Sequence, residues 1–170
     1  PMWPFSTNPK TERSGVLQHF TDWHCHILPG VDDGVQTSDE SLAILRRYEQ
    51  AGVREVWFTP HIMEDFPNTN ARLSQRFGEL QAAYKGPLRL HLAAEYMLDN
   101  LFMKRLEARE LLPIGPQGNH LLVETSYFRP PMRLHEMLRT IRSAGYMPVL
   151  AHPERYAYMC HDDYVRLKEE

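Results

Sequence analysis

The chain has 170 residues, 42% of them hydrophobic and 24% charged, with a formal net charge of −3 at pH 7. That balance is the balance of an ordinary globular protein long enough for one domain with a sizeable core, and it excludes a strongly basic surface built for nucleic acid or acidic lipid. Two cysteines, Cys25 and Cys160, exclude a disulfide scaffold and fit a reducing compartment, whereas nine histidines offer the commonest metal ligand and proton shuttle.

The opening stretch, PMWPFSTNPKTERSG, has no apolar core of a secretory signal and is rich in Pro, Ser, Thr and Asn. It reads as a flexible arm over residues 1–18, ahead of a domain over 19–170. No apolar run approaches the roughly 20 residues of a membrane span, so the expected address is the cytoplasm. HFTDWH is the first strand-like run. TSDESLAILRRYEQAG follows as a helix, with Thr37 and Glu40 spaced as a capping box and Gly52 as its stop. VREVWFTPH is a second strand, rich in β-branched and aromatic residues. NARLSQRFGELQAAYKG is helical in character, and Gly86 and Pro87 punctuate its end. LRLHLAAE, NHLLVETS and MPVLAHPE complete five strands, with helices expected around DNLFMKRLEARELL, PMRLHEMLRTIRSAG and DDYVRLKEE. Strands alternating with helices predict parallel βαβ units. Five units are fewer than a closed (β/α) barrel of roughly 200 residues or more needs, so the expectation is part of a barrel, with an open doubly wound sheet as the alternative.

Each run ends on a group able to bind metal: His24 and His26, then His61, Glu95, Glu124 and His152. The intervals from His24 are 37, 34, 29 and 28 residues, about one βα unit each. In parallel α/β folds the C-terminal strand ends gather at one face, so residues far apart in sequence converge there. Side chains alternate along a strand, so the two imidazoles of His24-Cys25-His26 share one side while Cys25 faces the wall. Mixed imidazole and carboxylate donors without thiolate suit manganese, iron or zinc in a catalytic site. The turn after His26 brings Asp33 back over the same mouth, while Asp32 reads as a turn former before Gly34. Arg155, three residues past His152, suits a phosphate oxyanion; taken alone it reads better as half of a surface ion pair. Cys160 and Arg166 have the C-x5-R spacing of cysteine-dependent phosphatases, but the intervening HDDYV has no glycine and two acids, so that spacing is accidental.

The ordered set HCHILPGVDDG, TPH, AAEY, LVETS and AHPERY, from about Asp22 to Tyr156, resembles the PHP (polymerase and histidinol phosphatase) superfamily. More closely, it is similar to the manganese-dependent protein tyrosine phosphatases of bacterial capsule and exopolysaccharide systems. The resemblance implies a distorted (β/α)7 barrel holding up to three ions, manganese first and iron or zinc as alternatives. By the same token His24, His26 and Glu95 would hold the first ion. Glu95 would bridge to a second, completed by Glu124 and His152, and Asp33 with His61 would hold the third. Arg155 would bind the phosphate, and a metal-bridging hydroxide would attack phosphorus without a phosphocysteine. The implied substrate is phosphotyrosine on a protein, typically a tyrosine autokinase that regulates polysaccharide export.

The family's late Asp-x-His does not occur after His152, and His161 with Asp162 and Asp163 has another order and spacing. The expectation is therefore a C-terminally truncated domain with about five βα units, from a longer phosphatase, whose first and third ions each lack a ligand. Two other functions stay open on the same residues. One is a phosphoesterase of small metabolites, such as histidinol phosphate, for which Phe128, Pro130 and Pro131 decide nothing, since an apolar rim for a tyrosine ring and plain loop packing explain them equally. The other is a catalytically incomplete binding module that docks on a kinase or on a second copy of itself, because an incomplete barrel exposes sheet edges.

Overall fold

The computed structural model describes residues 15–169. The expected arm lies outside the described residues up to position 14. From Gly15 the backbone turns, and His19 N–H donates to the Gly52 carbonyl at 2.8 Å. The strands are β1 (Thr21–Cys25), β2 (Glu55–Phe58), β3 (His61–Ile62), β4 (Arg89–Leu92), β5 (Glu95–Met97), β6 (His120–Glu124) and β7 (Met147–Leu150). Between and after them run α1 (Ser38–Ala51), α2 (Asn70–Ala83), α3 (Asn100–Ala108), α4 (Leu134–Ser143) and α5 (His161–Glu169), with a 3-10 turn at Pro153–Arg155. Among the described residues no helix is long and apolar enough to cross a membrane.

The helices follow their sequence signals. Thr37 Oγ1 accepts from Glu40 N–H and the Glu40 carboxylate accepts from Thr37 N–H, which closes the capping box of α1. Gly52 ends that helix at φ 86°, a left-handed position that costs glycine least. On α4 the residues Leu134, Leu138 and Ile141 fall at i, i+4 and i+7 and are the buried ones. Burying each such side chain contributes about 1.5–3 kcal/mol.

Five strands become seven. VREVWFTPH and LRLHLAAE are each two short strands, because the chain passes from one sheet to another at Thr59-Pro60 and at Ala93-Ala94. The first sheet has the order β1-β2-β4 and the second β3-β5-β6-β7. All strand pairings within them are parallel. Hydrogen bonds cross the switch points: Thr59 N–H donates to the Cys25 carbonyl at 3.0 Å and Glu95 N–H to the Pro60 carbonyl at 3.1 Å. Among the described residues nothing pairs β7 with β1, so the strands form two open parallel sheets rather than a closed barrel.

Alternation along β2 sorts its side chains. Val56 and Phe58 join the main core, where Phe58 meets Phe77 of α2 edge-on at 5.5 Å. On the other face Trp57 stacks between Trp23 of β1, at 5.6 Å, and His91 of β4, at 4.4 Å. The switch points decide where the site forms, because His61 opens β3 and Glu95 opens β5, paired to each other in register.

A tight loop follows β1. Gly30, at φ 67°, donates to the Val35 carbonyl, and Val35 donates back to the His26 carbonyl, both at 2.9 Å. Gly34 lies so close beneath His26 that an added Cβ would sit 2.1 Å from its carbonyl oxygen and 2.6 Å from its Cβ. Backbone must move to admit even one methyl group. Gly34→Ala is expected to lower the unfolding free energy by about 1–3 kcal/mol, read as a lower urea midpoint with an unchanged slope.

Candidate metal centre

Four of the residues read from the sequence as metal donors converge on one buried carboxylate. Glu95 has 0% exposure. Its Oε2 lies 3.2 Å from His24 Nε2, 3.1 Å from His26 Nε2 and 3.2 Å from His61 Nδ1. Its Oε1 lies 2.9 Å from His152 Nε2. Glu124, the last residue of β6 and only 2% exposed, is the second buried carboxylate. Its Oε1 is 3.0 Å from His61 Nδ1 and its Oε2 is 3.4 Å from His152 Nε2. Asp33 stands at the rim, 71% exposed, with Oδ1 3.6 Å from His61 Nε2. All seven candidate donors are therefore at one place, six of them packed together and Asp33 over the opening.

Asp32 is the turn former expected of it and has a second role besides. It is buried, and its carboxylate accepts from Gly34 N–H and His61 N–H, each at 3.0 Å, and from His26 Nδ1 at 2.9 Å. That last contact fixes the His26 ring so that its other nitrogen faces Glu95. An imidazole held by a carboxylate at one nitrogen while the other faces a site is the usual arrangement of a metal-ligating histidine. The only sequence signal for Asp32 is its place beside Asp33, and adjacent residues on a turn point in unrelated directions.

Burial disfavours charge on His26, His152, Asp32, Glu95 and Glu124, and their partners outweigh it. Against burial, the contacts with Asp32 and Glu95 push His26 up to about 10. Contacts with Glu124 and Glu95 push His152 up to about 9, again against burial. The imidazoles in turn hold the carboxyls of Glu95, Glu124 and Asp32 below the usual range, although burial acts to raise them. His152 also sits at φ 29°, a left-handed backbone position uncommon for a residue with a Cβ. Strain of that kind collects at functional sites, held by surrounding contacts. Here Tyr156 supplies them, donating from its hydroxyl to the Ala151 carbonyl at 3.0 Å and accepting from Thr125 N–H at 3.4 Å.

The donor set fits divalent cations by two observations. Glu95 Oε2, Glu124 Oε1, His61 Nδ1 and His152 Nδ1 are buried without a hydrogen-bond partner. His61 Nδ1 nevertheless lies 3.2 Å from Glu95 Oε2 and 3.0 Å from Glu124 Oε1, in ion-pair range but out of hydrogen-bond alignment. Lone pairs converging on a common point produce that pattern. Donors about 2.0–2.1 Å from one ion stand about 3.0–3.4 Å apart, the spacing found around Glu95 Oε2. Three groupings can each hold an ion, namely His24 with Glu95 and His152, His26 with His61 and Glu95, and His26 with Asp32 and Asp33.

Neither cysteine offers a nucleophile here. Cys25 is buried, its thiol donates to the Trp57 carbonyl at 3.3 Å, and burial pushes its pKa well up. Cys160 precedes α5, and its N–H is taken by the Asp163 carboxylate at 2.9 Å, so the C-x5-R stretch is a capped helix start and not a phosphate cradle. Arg155 stands in the 3-10 turn after His152, its Nη1 3.3 Å from the Tyr127 hydroxyl. Phe128, the residue after Tyr127, is 79% exposed.

Comparison with known proteins gives a consistent result. Residues 20–169 match the family described as capsular polysaccharide synthesis, CpsB/CapC. Tyrosine-protein phosphatase YwqE of Bacillus subtilis is 30% identical over 138 residues, which is 79% of this chain and 54% of YwqE. Tyrosine-protein phosphatase CpsB of Streptococcus pneumoniae is 32% identical over 141 residues, 79% of this chain and 57% of CpsB. A solved structure from work on YwqE and CpsB as unique metal-dependent tyrosine phosphatases superposes with a TM-score of 0.72 at 28% identity, over 79% of this chain and 56% of that one. The chain thus spans little more than half the length of the relatives it matches.

Raised imidazole pKa values have a consequence for metal loading. At pH 7 the metal-free His26 and His152 carry protons, since their values lie near 10 and 9. An ion can bind only the neutral rings, so loading must expel protons and its affinity must rise with pH up to that range. Titration of Mn2+ in buffers of different ionisation enthalpy is expected to reveal release of about one to two protons per chain at pH 7. At pH 10 the release should fall well below its value at pH 7, His26 being by then only about half protonated.

Proposed function

The chain belongs to the CpsB/CapC family of capsular polysaccharide synthesis, and from that premise we propose that it is the metal-binding part of a protein tyrosine phosphatase acting in capsule or exopolysaccharide control. The observation that carries the proposal is the ring of imidazole nitrogens around Glu95 Oε2 at 3.1–3.2 Å, with orphaned carboxylate oxygens among them. His24, His26, His61, Glu95, Glu124 and His152 would hold two ions in this reading, and Asp33 at the rim would join His61 on a third. Manganese is the first choice on the resemblance to manganese-dependent phosphatases; imidazole and carboxylate donors without thiolate suit it, and iron and zinc accept the same set. Bound ions lower the pKa of a water molecule and offset the charge of a phosphoryl group. The two open sheets would be part of a PHP-type distorted (β/α)7 barrel.

The chain's own residues supply orientation and anion binding. Asp32 holds the His26 ring by its Nδ1, so the ring cannot turn away from Glu95. Glu95 and Glu124 stay ionised through their imidazole neighbours and would keep cations in place. Arg155, with no carboxylate among the described residues in salt-bridge reach, would receive phosphoryl oxygens through its guanidinium fork. Its reading as half of a surface ion pair has no support in these contacts. The loop after Glu124 presents Phe128 and Met132 to solvent beside the site, which favours a protein substrate over a small enclosed metabolite. The substrate would be phosphotyrosine on a protein, such as a bacterial tyrosine autokinase, in the cytoplasm. Exposed Trp23, Met147 and Val149 on the open edge strands β1 and β7 support a further contact with a second copy.

Phosphate release from a phosphotyrosine peptide tests the reading. The chain with Mn2+ should release phosphate, EDTA should abolish it, and Glu95→Gln should reduce it by about 100-fold or more. Mn2+ bound at full occupancy without any release would overturn the assignment of this activity to the chain.

A further inference from the structure

We infer that Tyr127 is a positioning residue that presents Arg155 to the phosphoryl group, an inference that rests on the phosphatase reading above. Tyr127 lies three residues past Glu124, in the loop between β6 and α4. Its hydroxyl accepts a hydrogen bond from Arg155 Nη1 at 3.3 Å, and the guanidinium carbon lies 5.9 Å from its ring centre. The same ring meets His152 edge-on at 5.6 Å. One aromatic side chain therefore touches a candidate metal donor with its edge and the candidate phosphate-binding cation with its hydroxyl.

The backbone ties the two segments together. Ala157 N–H donates to the Tyr127 carbonyl at 2.8 Å, and Arg155 N–H donates to the His152 carbonyl at 3.0 Å. The loop carrying Tyr127 and the turn carrying Arg155 thus move as a unit, fastened again by the Tyr156 hydroxyl between Thr125 and Ala151. A flexible arginine side chain loses rotamer freedom when fixed, so an anchor made before the anion arrives leaves less to lose on binding.

The choice of anchor matters electrostatically. Arginines at surfaces are commonly held by carboxylates, which neutralise them. No carboxylate among the described residues lies within 4 Å of the Arg155 guanidinium, and the hydrogen bond it donates to the Tyr127 hydroxyl reinforces its charge. A phenol orients the fork and leaves it electrically unsatisfied. That combination suits a dianionic phosphate monoester at a mouth that already holds the carboxylates of Asp33 and the two buried glutamates.

The test is a double-mutant cycle on inorganic phosphate affinity, measured by calorimetry with the Mn2+-loaded 170-residue chain. Tyr127→Phe removes the hydroxyl and keeps the ring, so folding should be preserved and a thermal melt checks it. The variant should weaken phosphate binding about 5- to 10-fold, and Arg155→Ala should weaken it further. The double variant should bind no worse than Arg155→Ala, because the hydroxyl acts through the guanidinium. With a phosphotyrosine peptide the loss in Tyr127→Phe should fall on KM and leave kcat within about twofold. Unchanged phosphate affinity in Tyr127→Phe, or an equal loss in both backgrounds, would overturn the positioning role while leaving the phosphatase reading intact. A wild-type chain that neither binds phosphate nor hydrolyses the peptide would overturn the phosphatase reading, and this inference with it.

Discussion

Burial of the Glu95 carboxylate is the constraint on which the remaining architecture depends. An ionised carboxylate with no access to water costs several kcal/mol unless cationic or donor groups surround it. Four imidazoles do so, and they come from β1, the loop after β1, the start of β3 and the turn after β7. Those elements lie up to 128 residues apart in the chain, from His24 to His152. Only a parallel arrangement, with helices returning the chain to the same edge each time, delivers all of them to one point. Local geometry then serves that convergence. The strand breaks at Thr59-Pro60 and Ala93-Ala94 turn His61 and Glu95 into partners in register, and the tight approach of Gly34 to His26 folds the aspartate loop over them.

A purely structural ion-pair network is the competing account of such a cluster, and the two differ in how polar atoms are satisfied. Networks kept for stability align donors with acceptors, since a buried unpaired group costs about 1–3 kcal/mol. At this site His26 and Asp32 are aligned in that manner, whereas Glu95 Oε2, Glu124 Oε1 and His61 Nδ1 are close but not aligned. The outer ring of contacts is thus finished and the inner ring is not. An arrangement complete around its circumference and unsatisfied at its centre supports the proposed metal site, where cations would supply the missing partner for several atoms at once.

Much of this was legible in the sequence because it depends on local rules. The α1 cap at Thr37 and its stop at Gly52 follow from backbone chemistry confined to a few residues. Donors at the ends of apolar runs follow from the parallel topology that alternating elements imply. The sheet switches were hidden, because an extended apolar run such as VREVWFTPH has the same period on either side of a kink. Asp32 was hidden because a turn has no period, so nothing local distinguishes a carboxylate aimed inward from its exposed neighbour Asp33. Tyr127 was hidden for a different reason: its partner Arg155 is 28 residues away, joined through the β6 and β7 pairing and not through any motif. Phe128, the next residue and undecided in the sequence between an apolar rim and loop packing, is 79% exposed.

Charge at the mouth ties these parts into one device. Asp32, Asp33, Glu95 and Glu124 place four carboxylates at the site, three of them buried and Asp33 at the opening. A phosphate dianion would meet net repulsion there in the absence of cations, with Arg155 beside it in the turn. In the proposed reading cation binding would reverse the sign of that field. Binding of cation and of phosphate must then be coupled, and linkage makes the coupling reciprocal: whatever factor the ions add to phosphate affinity, phosphate adds to theirs. An arginine held by a neutral phenol is the anchor that such coupling favours. A carboxylate in the place of Tyr127 would fix the fork equally well, but it would add a fifth negative charge against the anion it is meant to receive.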